Sequence, residues 1–375
     1  MLFVKLVPII GFLSIAFCGI SQAQSIGSSS KCNGPGPYAL RINEDLLRED
    51  VRGEPMEAPP MSRTDRNPGH DRQALRGVCQ DPRTGRPILE HEFHLPALNR
   101  LPAEDGVTGG DEGRDPSPDV GATRLSPKNV IGSDQRVLQS PTTSFPFRGV
   151  VKLFMTFQHD PTFPKKKIFE CTGSMIGSFH VLTAGHCIFK HPSGPPPNVI
   201  FGWADSIVVV PGLDGTSKPF GQTSVTKPIR SFKAWTDDGD TEGDMALITL
   251  DQPLSVGSFG LAFPSDNTLD GALVAYIIGY PLDMGSPPGR QQAFVPGGGG
   301  ITDYDSDIVF YQIDTNNGQS GSGVYSFFNG KRAIIAVHHG GCAQENCGAR
   351  INSSKHATIR GWQCADGQSI SNVCP

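Results

Sequence analysis

Three short stretches carry side chains that could do chemistry together: Leu182-Thr183-Ala184-Gly185-His186-Cys187, Gly243-Asp244-Met245-Ala246-Leu247-Ile248-Thr249-Leu250 and Asn317-Gly318-Gln319-Ser320-Gly321-Ser322-Gly323. A serine hydroxyl is a poor nucleophile near neutral pH, so an imidazole must take its proton during attack, and a carboxylate must hold that imidazole's tautomer. Ser320, His186 and Asp244 are the candidates for these roles. Gly318 and Gly321 leave room for backbone to approach a substrate, and Gly318 can adopt angles closed to other residues. The N–H groups of Gly318 and Ser320 would face a developing oxyanion, a contribution of roughly 3–4 kcal/mol per donor.

Each stretch alone is weak. In a chain with 45 Gly, a Gly-x-Ser-Gly more often marks a turn, and Ser322 stands close enough to be the alternative nucleophile. Asp237, Asp238 and Asp240 compete with Asp244, which is preferred because it directly precedes the apolar run Met245 to Leu250. The order His, Asp, Ser is the discriminating feature. It differs from the Asp-His-Ser order of subtilisins and the Ser-Asp-His order of α/β-hydrolases.

With that order, the chain resembles the chymotrypsin-fold serine proteases. Val130-Ile131-Gly132-Ser133-Asp134-Gln135-Arg136, Tyr280-Pro281-Leu282-Asp283 and the stretch from Tyr311 to Ser322 resemble the glutamyl endopeptidase branch, and the likeness covers most of 130–340. It implies hydrolysis of peptide bonds through an acyl-enzyme, after Glu and less well after Asp. It also implies that Thr315, His338 and a new α-amino group on Val130 bind the acidic side chain, since a buried anion needs several donors. A bridge between Cys171 and Cys187 would pin the histidine loop. Asp314, six residues before Ser320, is the complication, because trypsin-like enzymes keep there the carboxylate that binds Lys or Arg. Lys/Arg specificity is therefore the alternative within the class, and a non-catalytic secreted binding protein of this fold is the alternative outside it. Gln319 departs from trypsin: an amide cannot form the salt bridge that locks a new amino terminus.

The rest of the chain must position these groups. Met1 to Ala23 (residues 1–23) carry one lysine and an apolar run from Leu6 to Ile20, with Ser21-Gln22-Ala23 as a small-x-small cleavage site. This is the pattern of a secretory signal, so a secreted protein is expected. Cys18 as a lipid-anchor site is disfavoured by the bulky Phe17 before it.

Residues 24–129 carry 14 basic and 17 acidic side chains and only two aromatics, Tyr38 and Phe93, whereas 130–375 carry 17 basic and 20 acidic over more than twice the length. Such a charged, Pro- and Gly-rich segment cannot bury enough apolar surface to offset its ordering entropy. It is expected to be a largely disordered pro-region, removed by a separate activating protease, because Asn129 before Val130 is not acidic.

Residues 130–375 contain many short β-rich runs divided by turn residues, and no helical periodicity of comparable quality. The expected fold is all-β: two six-stranded antiparallel barrels, about 130–260 and 261–362, with a cysteine-containing tail at 363–375. The first would supply His186 and Asp244, the second Ser320. The eight cysteines after the signal suggest disulfides, with Cys342–Cys347, Cys364–Cys374 and Cys32–Cys79 as the simplest pairs besides Cys171–Cys187. No Cys-x-x-Cys pair supports a metal, and no cofactor is expected. The formal net charge of −5 is too mild for nucleic-acid or membrane partners. The expected partners are protein or peptide substrates of a monomer. Asn352-Ser353-Ser354 is a glycosylation acceptor if the host is eukaryotic.

Overall fold

The computed structural model describes residues 130–159, 168–193, 200–342 and 344–367, with the backbone of 54–55, 77–80, 87–89 and 106–108. The signal segment, Cys32 and Cys374 lie outside these residues.

Runs rich in Val, Ile and aromatics form the strands because branched and flat side chains fill a pleated surface buried on both sides. In the first barrel the antiparallel order is Ile200–Pro211, Val150–His159, Ile168–Gly177, His180–Thr183, Ala246–Thr249, Ile229–Phe232. The second barrel closes on itself. Its order runs Lys331–Cys342, Gly323–Phe328, Val274–Gly279, Gly299–Tyr304, Ile308–Tyr311, Glu345–Arg350 and back to Lys331–Cys342, every pair antiparallel. The expected all-β pair of barrels is therefore the observed architecture. One apolar cluster runs from Val151, Leu153 and Val181 in the first barrel through Tyr280 to Ile334 and Val337 in the second. The two barrels consequently share a core beneath the cleft between them.

Within the segment 24–129, short strands add to the barrels: Gly77–Gln80 pairs with Ile229–Phe232, Pro87–Leu89 pairs with Gly77–Gln80, and Gly106–Thr108 pairs with Gly260–Phe263. Glu54–Pro55 runs parallel to Phe169 and Glu170. A strand edge offers unpaired N–H and C=O groups, so a short segment can add to it without a core of its own.

One expectation needs correction at the carboxyl end, where Ser353–Ala365 is a helix. Asn352 caps it, its Oδ1 accepting from the Lys355 N–H at 2.9 Å while its Nδ2 donates to Asp307 at 2.9 Å. That amide is thus committed to the fold rather than free for a glycan. Ile359 and Trp362 are fully buried, and Asp366 past the helix end accepts two bonds from Arg230 at 2.8 Å, plus bonds from Thr249 and His180. These contacts fasten the helix to the first barrel.

Candidate active site

The His180–Thr183 strand ends in a single helical turn, Gly185–Cys187, that presents His186. Cys187 is bridged to Cys171 on the neighbouring strand, as expected. A Cβ at Gly185 would lie 2.7 Å from the Trp235 ring, so the missing side chain lets Trp235 pack close, its ring 6.0 Å from that of His186. Asp244 follows the turn Thr241–Gly243 and is fully buried. Its Oδ1 accepts the His186 backbone N–H at 2.7 Å and its Oδ2 accepts from His186 Nδ1 at 2.7 Å. A third donor comes from the second barrel, where His339 Nδ1 lies 2.5 Å from Asp244 Oδ2. Burial alone would raise the Asp244 carboxyl. The neighbouring His186 and the hydrogen bonds from both imidazoles outweigh it and hold the group well below the usual carboxylate range.

Ser320 sits on a turn whose glycines have positive φ, +92° at Gly318 and +85° at Gly321. A Cβ at Gly321 would stand 2.1 Å from Thr183 Oγ1, so no other residue fits there. Thr172, beside the bridged Cys171, ties this turn to the first barrel. Its N–H donates to the Ser320 carbonyl at 2.9 Å and its Oγ1 donates to the Gly318 carbonyl at 2.8 Å. The Ser320 hydroxyl donates to the His339 carbonyl at 3.4 Å, while His186 Nε2 is buried with no hydrogen-bond partner. His186 and Asp244 are joined in this structure; His186 and the Ser320 hydroxyl are not.

Thr315 and His338 lie on the segments flanking that turn. The Thr315 hydroxyl is fully buried and has no hydrogen-bond partner. His338 Nδ1 is 2.7 Å from the Tyr311 hydroxyl, which donates to the Cys347 carbonyl at 2.9 Å. Burial, followed by the nearby His339 and His186, pushes the His338 imidazole down to about 3.

Asp314 does not line the site as a free carboxylate. Its Oδ1 accepts from the Ile131 N–H and its Oδ2 from the Gln135 N–H, both at 2.8 Å. Arg136 adds a second tie, bonding Asp134 and, through both terminal nitrogens, Asp283 at 3.0 and 2.7 Å. Asp283 also accepts from Asn316 Nδ2 at 2.8 Å, so segment 131–136 is fastened to the loops that carry Ser320 and Thr315.

Residues 139–359 match the family description "Trypsin". The chain belongs to the trypsin family. It is 32% identical over 246 residues to a glutamyl endopeptidase of Bacillus licheniformis, covering 63% of this chain and 69% of that protein. It is 30% identical over 243 residues to a Bacillus subtilis protein named extracellular metalloprotease, covering 64% of this chain and 71% of the relative. A solved Glu endopeptidase in complex with MPD shares the fold, with a TM-score of 0.52 and 24% identity over 63% of this chain and 99% of that one. The protein is a serine endopeptidase. Among the described residues, no helix is long and apolar enough to cross a membrane.

The metalloprotease name of one relative invites a test of the residues here. His186, Asp244 and His339 offer three ligand atoms within 4.8 Å of one another. Yet the nitrogens stand 2.7 and 2.5 Å from the one shared oxygen, which are hydrogen-bond distances. Zinc ligands at about 2.0–2.1 Å from a tetrahedral centre must be spread to about 3.3 Å apart. The cluster as built is a hydrogen-bonded array and does not fit a metal.

One part of this trypsin-family site is not legible in the residues considered above: His339, next to His338 in a strand where adjacent side chains face opposite sides. That alternation was the available signal. Gln319 behaves as its type predicts: its Oε1 accepts the Asn316 N–H at 2.9 Å and its Nε2 is buried without a partner, with no acid to meet a new terminus.

Proposed function

We propose that this trypsin-family enzyme hydrolyses peptide bonds after Glu, with His186 as general base, Asp244 as its orienting carboxylate and Ser320 as nucleophile. The observation that carries the triad is the fully buried Asp244 bonding both the ring and the backbone of His186. In this reading the Ser320 hydroxyl turns from the His339 carbonyl toward His186 Nε2. Its oxygen then attacks the substrate carbonyl carbon as the imidazole takes the proton, a contact that commonly tightens only with substrate bound. The N–H groups of Gly318 and Ser320 receive the oxyanion, the leaving amine takes the proton back, and water repeats the cycle on the acyl-enzyme.

Preference for Glu is supported by the unsatisfied Thr315 hydroxyl, by the buried His338 imidazole, and by Asp314, whose two oxygens are already spent on backbone. Processing at Asn129-Val130 would free an α-amino group next to the segment that Asp314 and Asp283 hold, as a third donor to the carboxylate. We propose secretion of the chain as a pro-form on the same footing.

Ser320→Ala tests the mechanism. Turnover should fall by about six orders of magnitude with the folded state kept, as removal of a nucleophile does in a related system. Full activity in that variant would move the assignment to Ser322. Profiling the mature enzyme on a peptide library tests specificity: cleavage after Lys or Arg would overturn the pocket reading.

A further inference from the structure

We propose that Tyr311 is a specificity-determining positioning residue, whose hydroxyl fixes the tautomer of His338 so that an acidic side chain enters the pocket together with one proton. This rests on the Glu-pocket reading above and goes beyond it. The argument is one of counting hydrogens. A phenol has a single proton to donate and a carbonyl can only accept. Tyr311 spends its proton on the Cys347 carbonyl at 2.9 Å. Its oxygen is nevertheless 2.7 Å from His338 Nδ1, so the hydrogen of that contact must sit on the imidazole. Neutral His338 is then the Nδ1–H tautomer, and the nitrogen left for a substrate is Nε2 with a lone pair.

A lone pair repels a carboxylate. Binding Glu therefore requires a proton on Nε2, and the balance is enzyme plus carboxylate plus one proton giving imidazolium and carboxylate paired. The surroundings decide how readily this happens. His339 follows in the strand, His186 and Asp244 face it from the first barrel, the Cys347 carbonyl favours a hydrogen on the ring, and Tyr311 comes from the Ile308–Tyr311 strand. The strand Glu345–Arg350 meets His338 through Gly348, its two charged residues standing at its ends. On the opposite side the His338 N–H donates to the Ser322 carbonyl. Asp314 is engaged with Ile131 and Gln135, and a Val130 α-amino group would oppose the charge on His338. Without substrate the imidazole is neutral at ordinary pH, in keeping with its depressed pKa of about 3. A Gln side chain needs no proton, because its NH2 can donate to the lone pair.

The test is titration calorimetry with mature Ser320→Ala enzyme and a matched pair of peptides ending in Glu or Gln at the specificity position, in buffers of different ionisation enthalpy at neutral pH. The Glu peptide should bind with uptake of about one proton and the Gln peptide with about none. Tyr311→Phe in the same background frees the imidazole to adopt the other tautomer, so uptake with Glu should fall toward zero while Glu binding persists. Should that variant fail to fold, nitrogen NMR of the histidines in Ser320→Ala enzyme, with His338 assigned by loss of its signal in His338→Gln, should show the Nδ1–H form. Tight Glu binding without proton uptake overturns this proposal and leaves the pocket standing. Uptake unchanged in Tyr311→Phe overturns the role of Tyr311. Equal affinity for both peptides overturns the pocket itself.

Discussion

The Asp244 cluster and the specificity pocket lie on the two sides of one short strand segment, yet they are built in opposite ways. Around Asp244 the carboxylate oxygens accept three hydrogen bonds, from His186 twice and from His339 once. In the pocket a fully buried Thr315 hydroxyl has no partner, and His338 has one nitrogen committed to Tyr311. A buried polar group left unsatisfied costs about 1–3 kcal/mol, which a bound carboxylate would relieve in the proposed reading. In the proposed reading, His186 is fixed in advance by Asp244, whereas recognition of an acidic side chain is completed by substrate and a processed amino terminus.

The difference can be broken first at the covalent support of the base. Cys171–Cys187 closes a loop with a sequence separation of 16, and both sulfurs are buried. Replacing both cysteines with Ala should cost about 3 kcal/mol of stability by the chain-entropy estimate, read as a lower denaturation midpoint. Activity per folded molecule should fall too, because the bridge holds both the His186 turn and the strand whose Thr172 grips the nucleophile loop. A variant with unchanged midpoint and unchanged turnover would show that the hydrogen bonds alone position the base.

The second break is His339→Ala. It removes one of the three bonds to a buried carboxylate, a bond of the charged kind worth about 1.5–3 kcal/mol. We expect kcat to fall by about ten- to a hundredfold. The loss should fall on kcat and leave KM unchanged, because the bond helps orient His186 and does not touch substrate. A rise in KM with kcat unchanged would make His339 a packing residue only.

What could be read from the sequence divides along the same line. His186, Asp244 and Ser320 stand beside apolar strands and between glycines, so their local context announces them. The contacts that settle the pocket do not: Asp314 is bonded to residues 183 and 179 positions away, and nothing near it says whether it faces substrate or backbone. The C-terminal helix escaped notice because its buried face mixes Ile359 and Trp362 with Lys355, His356, Arg360 and Gln363, which erases the apolar period. Lys355 is buried only because Asp307 sits 2.7 Å away, a partner that periodicity cannot reveal. The strands at 77–80 and 106–108 are held by backbone pairing to barrel edges, for which side-chain composition carries little signal.

Asp314→Asn should have the smallest effect and decides most about specificity. The carboxylate accepts the N–H groups of Ile131 and Gln135, one on each oxygen. An amide keeps one acceptor and turns an NH2 toward the other N–H, so one of the two ties is lost and a donor clash is added. The segment that carries Val130 should loosen by about 1.5 kcal/mol, the low end of the range for a hydrogen bond to a charged group. For the mature enzyme this predicts a fall in kcat/KM of about tenfold on Glu substrates, mostly in KM, and little change on apolar ones. Arg136 and Asp283 still hold the far end of the segment, at 2.7 Å, which keeps the loss moderate. If the substitution instead spares Glu substrates and removes a Lys or Arg activity, the carboxylate serves the substrate rather than the amino-terminal segment, and the contrast between a finished base and an unfinished acidic pocket collapses.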